Sequence, residues 1–211
     1  MKIAIVGPGQ IGLALAGHWA KAGHHIFYTF SRSKEKLQRL ASELGEQGSW
    51  GTPEEAAAAC DVILLSCRWQ QVPDAIALLG DLAGKILLET VNPIGEDGEL
   101  EIGLRTSAGE RIAEMAPEAS VVAAFNTLPA SVIAAGSSLY GGRAPVVFYC
   151  GTDEEAKSTA AALIKEAGFE PCDVGPISSC RYLEPLSVLM IRAASRLKVR
   201  DISLELLRPN K

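Results

Sequence analysis

Four apolar residues, Ile3, Ala4, Ile5 and Val6, run without interruption into the loop Gly7-Pro8-Gly9-Gln10-Ile11-Gly12, and an amphipathic stretch follows at once. This order of apolar strand, glycine-rich turn and helix restricts the chain more than any other feature. A strand that is apolar at every position is buried on both faces, which places it in a parallel sheet, and parallel strands need crossover helices. Ile11, Leu15 and Trp19 recur at i, i+4 and i+8 and the pattern stops at Gly23, so a helix is expected over 10–22.

The rest of the chain repeats the alternation. Strands are expected at 2–6, 25–30, 61–66, 85–89, 120–124, 145–150 and 169–173. Helices are expected to open at Pro53, where Glu54 and Glu55 suit the positive end, and at Asp153-Glu154-Glu155. Residues 92–110 break the rhythm with glycine and charge and read as a surface excursion, after which TSAGERIAEM resumes a helix. A last helix over roughly 178–197 carries Leu183, Leu186, Leu189, Met190 and Ala193 on one face, and ISLELLR after it alternates like an edge or intersubunit strand. The fold class predicted is α/β, a Rossmann-like doubly wound parallel sheet with a smaller C-terminal α/β lobe.

The chain has 211 residues, 48% of them hydrophobic, enough for one sizeable core or one domain with a companion lobe. No apolar stretch approaches the roughly 20 residues of a membrane span, and the N-terminus starts with a strand pattern rather than a leader, so no membrane partner and a cytoplasmic location are expected. Cys60, Cys67, Cys150, Cys172 and Cys180 form no C-x-x-C pair, and neither a disulfide framework nor a metal site is expected. The net charge of −5 argues against nucleic acid as a partner. Its distribution is uneven: residues 181–211 hold seven basic and three acidic residues, a balance of +4, against −9 for the remainder. That tail reads as a solvated helix face or as a landing surface for an anionic ligand.

In a dinucleotide loop, Gly7 makes the tight turn, Gly9 lets the backbone approach the diphosphate, and Gly12 allows close helix–strand packing. NAD-binding chains then place a carboxylate at the end of the second strand. Here Ser31, Arg32 and Lys36 stand there instead, offering a hydroxyl, a planar fork and a second cation to a 2′-phosphate. Charge-assisted hydrogen bonds contribute roughly 1.5 to 3 kcal/mol each, so two or three favour NADP(H) over NAD(H) by well over about tenfold. No proton donor declares itself: the residues four beyond Tyr28, Tyr140, Tyr149 and Tyr182 are Arg32, Ala144, Asp153 and Leu186, so a Tyr-x-x-x-Lys pair is absent. His18, His24 and His25 read as packing or surface groups. A chain without acid–base machinery suits hydride transfer between two carriers, or a non-catalytic protein that only senses NADPH.

Beyond the glycine loop and Ser31-Arg32 with Lys36, the segments CDVILLSCRWQQVPDAI from Cys60, LAGKILLETVNP to Pro93, AAFNTLPA from Ala123 and DVGPISSCRYLEPLSVLMI from Asp173 together resemble one family. It is the coenzyme F420-dependent NADP oxidoreductases, with their bacterial relatives and the cytoplasmic domain of the transmembrane metalloreductases. The resemblance implies an NADP-binding domain over 1–125 and a C-terminal lobe over 126–211 for the acceptor and for dimerisation, with the nicotinamide in the cleft between them. It implies that Ser66, Cys67, Arg68, Trp69, Asn92 and Pro93 flank the cofactor. Asn126, Thr127, Leu128 and Pro129 would face the nicotinamide and the acceptor ring, and Ser179, Arg181, Tyr182 and Glu184 would shape the acceptor pocket or the dimer contact. Archaeal members with deazaflavin activity carry a histidine where this chain has Asn126, a departure that bears on the acceptor rather than the donor. The resemblance thus implies a homodimeric oxidoreductase that moves hydride between NADP(H) and a small planar acceptor, coenzyme F420 first, with a flavin or ferric chelate as the alternative.

Overall fold

The computed structural model describes residues 1–207. One eight-stranded sheet runs through it, built from β1 (Lys2–Val6), β2 (His25–Thr29), β3 (Gly48–Trp50), β4 (Val62–Leu65), β5 (Ile86–Glu89), β6 (Ser120–Ala123), β7 (Val146–Gly151) and β8 (Glu170–Pro176). The spatial order is β3-β2-β1-β4-β5-β6-β7-β8. All neighbouring pairs are parallel except β6 with β7. The chain turns back between β1 and β4, so a crevice opens beyond Val6 and Leu65, where ligands of this architecture sit. The sheet continues without a break across residue 125, because β7 joins β6 at Ala123 and Cys150.

Among the described residues eight α-helices cover the sheet: α1 (Gln10–Lys21), α2 (Lys34–Glu43), α3 (Pro53–Ala59), α4 (Val72–Leu79), α5 (Ala108–Met115), α6 (Ala130–Ala135), α7 (Glu154–Glu166) and α8 (Cys180–Leu197). Successive residues of a strand point to opposite faces, and β1 therefore feeds two cores. Ile3 and Ile5 pack with Leu15, Trp19, Leu40, Val132 and Leu163, whereas Ala4 and Val6 pack with Ala56, Val72, Ile76 and Ile112. Both faces are dry, which explains the uninterrupted apolar strands. The Trp19 indole donates to the Leu163 carbonyl at 3.0 Å, and His18 meets the Ile133 carbonyl at 2.7 Å, so α1 is tied to α7 and α6. His24 meets Glu166 at 2.7 Å and His25 meets Ser49 at 2.9 Å.

Three differences from the sequence expectations have physical causes. Gly48-Ser49-Trp50 carries no apolar run, yet pairs with β2 because the carbonyl of Ala41 lies only 2.1 Å from where a Cβ on Gly48 would stand, so only glycine lets α2 close onto the strand. The buried face of α8 is Cys180, Leu183, Glu184 and Ser187, so of the leucine face read from its periodicity Leu183 is buried whereas Leu189 is 61% exposed. Residues 201–207 form no strand, though the Leu204 carbonyl accepts from the Val146 amide at 2.9 Å; the last residue of the expected ISLELLR strand, Arg208, lies outside the described residues. Over 92–107 the chain is irregular apart from an isolated bridge between Ile94 and Leu100. Among the described residues no helix is long and apolar enough to cross a membrane.

Candidate functional site

The three loop glycines differ in their surroundings. Gly7 has φ +82° and sits against Cys67, with its carbonyl accepting from the Gly9 amide at 2.7 Å and from the Ser66 hydroxyl at 2.9 Å. A Cβ on Gly12 would stand 2.5 Å from the Ser66 Oγ and 2.9 Å from Ile5, so α1 presses directly on β1 and β4. Gly9 is open, with nothing nearer than 3.9 Å. Gly9 is also the N-cap of α1 and supplies no side chain, which leaves the first amides, those of Gln10, Ile11 and Gly12, turned outward at the positive end of the helix dipole. Ser66 and Cys67 thus brace the glycine loop. Burial pushes the Cys67 thiol up to about 11, so it stays protonated and is no nucleophile near neutral pH.

At the end of β2, Phe30 takes a left-handed conformation with φ 56° and turns the chain out of the sheet. Ser31 and Arg32 follow directly. Ser33 caps α2 by accepting from the Lys36 amide at 3.1 Å, and Ser31 accepts from the Ser33 amide at 3.3 Å. The Lys36 ammonium reaches across to the Pro8 carbonyl at 2.7 Å, joining this corner to the glycine loop. Arg32 is exposed and engages no partner among the described residues, whereas Arg39, Arg111, Arg143, Arg181 and Arg192 each engage a glutamate.

Three cavities follow the carboxyl ends of the strands. One of about 820 Å³ holds Ser31 and Arg32 with Phe30, Trp50 and Leu78 as apolar wall. A second, of about 950 Å³, shares Arg32 with the first and adds Arg68, Trp69 and Asn92. The third, about 600 Å³, shares Asn92 and is lined by Ile11, the stretch Asn126–Ala130 and the last turns of α8. Pro93 lies beside it in the chain, its carbonyl accepting from the Glu101 amide at 2.8 Å. Phe125, at the end of β6, repeats the device of Phe30 with φ 64°, and Asn126-Thr127 follow it.

The structure divides the residues expected at the acceptor. Asn126, Thr127, Leu128 and Pro129 line the third cavity. Ser179, Arg181, Tyr182 and Glu184 do not, because they stand at or just before the opposite end of the 18-residue α8. Ser179 donates to the Val174 carbonyl at 2.7 Å, Arg181 grips Glu110 at 2.9 and 2.5 Å, and Tyr182 is 74% exposed. Glu184 is fully buried, accepting from the Gly109 amide at 3.2 Å. Burial pushes its carboxyl up to about 7, and burial together with the charge of Glu184 holds Glu89 well above the usual carboxylate range. Beside them the Cys150 and Cys180 sulfurs stand 3.3 Å apart as free thiols. Ser187 and Ala194, unmarked in the sequence, complete the third cavity together with Met190, read from the periodicity as part of the helix's apolar face, and Lys198 and Arg200 of the basic tail. Among the described residues its charged lining groups are the cations Lys198 and Arg200, so of the basic tail these two reach the cavity; Arg208 and Lys211 lie outside the described residues.

A glycine loop at the switch point, an uncapped helix and a cationic corner beyond β2 define a dinucleotide-binding protein of the doubly wound class. Residues 2–93 match the family described as NADP oxidoreductase, coenzyme F420-dependent. A candidate F420-dependent NADP reductase from Arthrobacter sp. FB24 superposes with TM-score 0.86 at 28% identity, covering 99% of this chain and 100% of that one. A hypothetical protein from Sinorhizobium meliloti is 30% identical with TM-score 0.75, covering 85% and 87%. The rat metalloreductase STEAP3 is 29% identical over 90% of this chain, which spans only 37% of that protein's length. Over its first 93 residues the chain is thus similar to the coenzyme F420-dependent NADP oxidoreductases.

Proposed function

We propose that the chain binds NADP(H) along the three cavities and passes hydride between it and a planar acceptor, coenzyme F420 first. The observation that carries this reading is Arg32: a free guanidinium between the first two cavities, at the strand end where an NAD-binding chain would place a carboxylate. Ser31 and Arg32 would hold the 2′-phosphate, with Lys36 adding charge while anchored to the glycine loop. Gly9 leaves room for the diphosphate, which would meet the Gln10, Ile11 and Gly12 amides. Arg68, Trp69 and Asn92 would border the ribose and nicotinamide, which supplies the hydride when bound. The third cavity lacks carboxylate, histidine and cysteine among its lining residues, and this fits a protein that aligns two rings and excludes water. Lys198 and Arg200 would receive the anionic part of the acceptor. A homodimer through the exposed apolar side of α8 completes the reading.

Equilibrium titration tests the donor. Wild type should prefer NADPH to NADH by more than about tenfold, and Arg32→Ala should lose most of that preference while leaving NADH affinity unchanged; an Arg32→Ala protein that binds both as before overturns the assignment. Stopped-flow oxidation of NADPH with F420 and with FMN tests the acceptor, whose binding should weaken with added salt. The match to a metalloreductase over most of this chain supports a second reading, reduction of a flavin or ferric chelate, favoured if FMN or a ferric chelate turns over and F420 does not.

A further inference from the structure

Three polar side chains meet at the floor of the third cavity, and their hydrogen bonds fix one another's direction. The Asn92 Nδ2 donates to the main-chain carbonyl of Asn126 at 2.8 Å and to the Ser187 Oγ at 2.9 Å. A carbonyl can only accept, so the Asn92 amide has a single orientation and its Oδ1 must accept. It does so from the Asn126 Nδ2 at 3.3 Å. Two consequences follow. The Ser187 hydroxyl, already accepting, keeps its proton for a donor bond and has no acceptor among the described residues. The Asn126 Oδ1 is left buried without a partner.

Orphaned buried oxygens are costly and need a reason. The other two among the described residues belong to Glu89 and Glu184, carboxyls that can carry a proton. An amide oxygen cannot, and Asn126 lines a cavity that Ser187 also lines. Both residues are 4% exposed; Ser187 stands on α8, and Asn126 and its partner Asn92 stand in the turns just beyond β6 and β5.

We infer that the Ser187 hydroxyl and the Asn126 Oδ1 form a donor–acceptor pair that reads a carbonyl next to an N–H on the ring bound in this cavity. The inference rests on the reading of the cavity as the hydride-transfer end of the site. Two ligands present such an edge: the carboxamide of the nicotinamide, and the cyclic imide of a flavin-like acceptor. Ser187 donates to the carbonyl and Asn126 accepts from the N–H, with Asn92 positioning both.

The test uses the intact chain and equilibrium titration. Wild type is titrated with 2′,5′-ADP, with NADP⁺ and its 3-acetylpyridine analogue, which lacks the N–H, and with FMN and N3-methyl-FMN, which also lacks it. If the carboxamide is read, the acetylpyridine analogue binds about fivefold to tenfold more weakly than NADP⁺, and Ser187→Ala weakens NADP⁺ to a similar degree without moving 2′,5′-ADP. If the imide is read, the two pyridine nucleotides are alike, N3-methyl-FMN binds more weakly than FMN by that factor, and Ser187→Ala weakens FMN. The wild-type comparisons need no variant and stand even if Ser187→Ala does not fold. Binding of 2′,5′-ADP with both analogue pairs indistinguishable overturns this inference alone, whereas failure of wild type to bind 2′,5′-ADP overturns the reading of the nucleotide site beneath it and the inference with it.

Discussion

Glu184 shows how one residue in this chain can work against the pattern around it. It sits on the buried face of α8 with one oxygen on the Gly109 amide and the other without a partner. An unfolded glutamate titrates near 4.5 and the folded one near 7, so between these values the folded chain holds a proton that the unfolded chain has released. Stability from this group is therefore complete below about pH 4.5 and falls as pH rises through 7, by up to roughly 3 kcal/mol. Glu89 acts in the same direction. Melting temperature followed from pH 5 to 8 should decline in wild type and decline less in Glu184→Gln, where Glu89 remains; an equal decline in both refutes the account. The same residue marks a limit of the sequence. Periodicity selected the leucines of α8 as its inner face, but Glu184 and Ser187 occupy half of the real one because partners from α5 and from the turn after β5 satisfy them. No local rule supplies partners that lie 75 and 95 residues away.

The elements that were legible owe it to chemistry contained within them. The glycine loop, the apolar strands and the acidic helix starts at Pro53 and Asp153 each carry their own cause, and the capping box joining Thr52 to Glu55 is one of these. The edge strand β3 carries no such cause. It exists because α2 ends against it, and Gly48 is where the two backbones touch. Gly48→Ala should cost about 2 to 3 kcal/mol in urea unfolding, since the obstacle is main chain and cannot swing aside. A loss below about 0.5 kcal/mol would show that α2 and β3 are free to separate. The cavity-lining turns of α8 were likewise hidden, because which end of an 18-residue helix meets a cavity depends on the sheet beneath it rather than on the helix.

At the scale of the molecule, Leu189, Ile191 and Leu197 leave α8 with an exposed apolar side, which Val199 just past its end extends. On the proposed reading this side pairs two copies, so sedimentation should give a dimer for wild type and a monomer for Leu189→Glu combined with Leu197→Glu, with NADPH affinity retained because neither side chain lines a cavity. A wild-type monomer at micromolar concentration contradicts it. The reversal at β7 has a separate effect. Because β7 and β8 start at the ligand edge instead of finishing there, the loops that follow them point away, and it falls to the end of α8 to close the third cavity. The stretch that would grip the electron donor and the stretch that would choose its recipient are thus far apart in the gene. Mutation could retrain this chain toward a new oxidant by rewriting a few codons near its end, while the machinery proposed to hold the reductant is inherited intact.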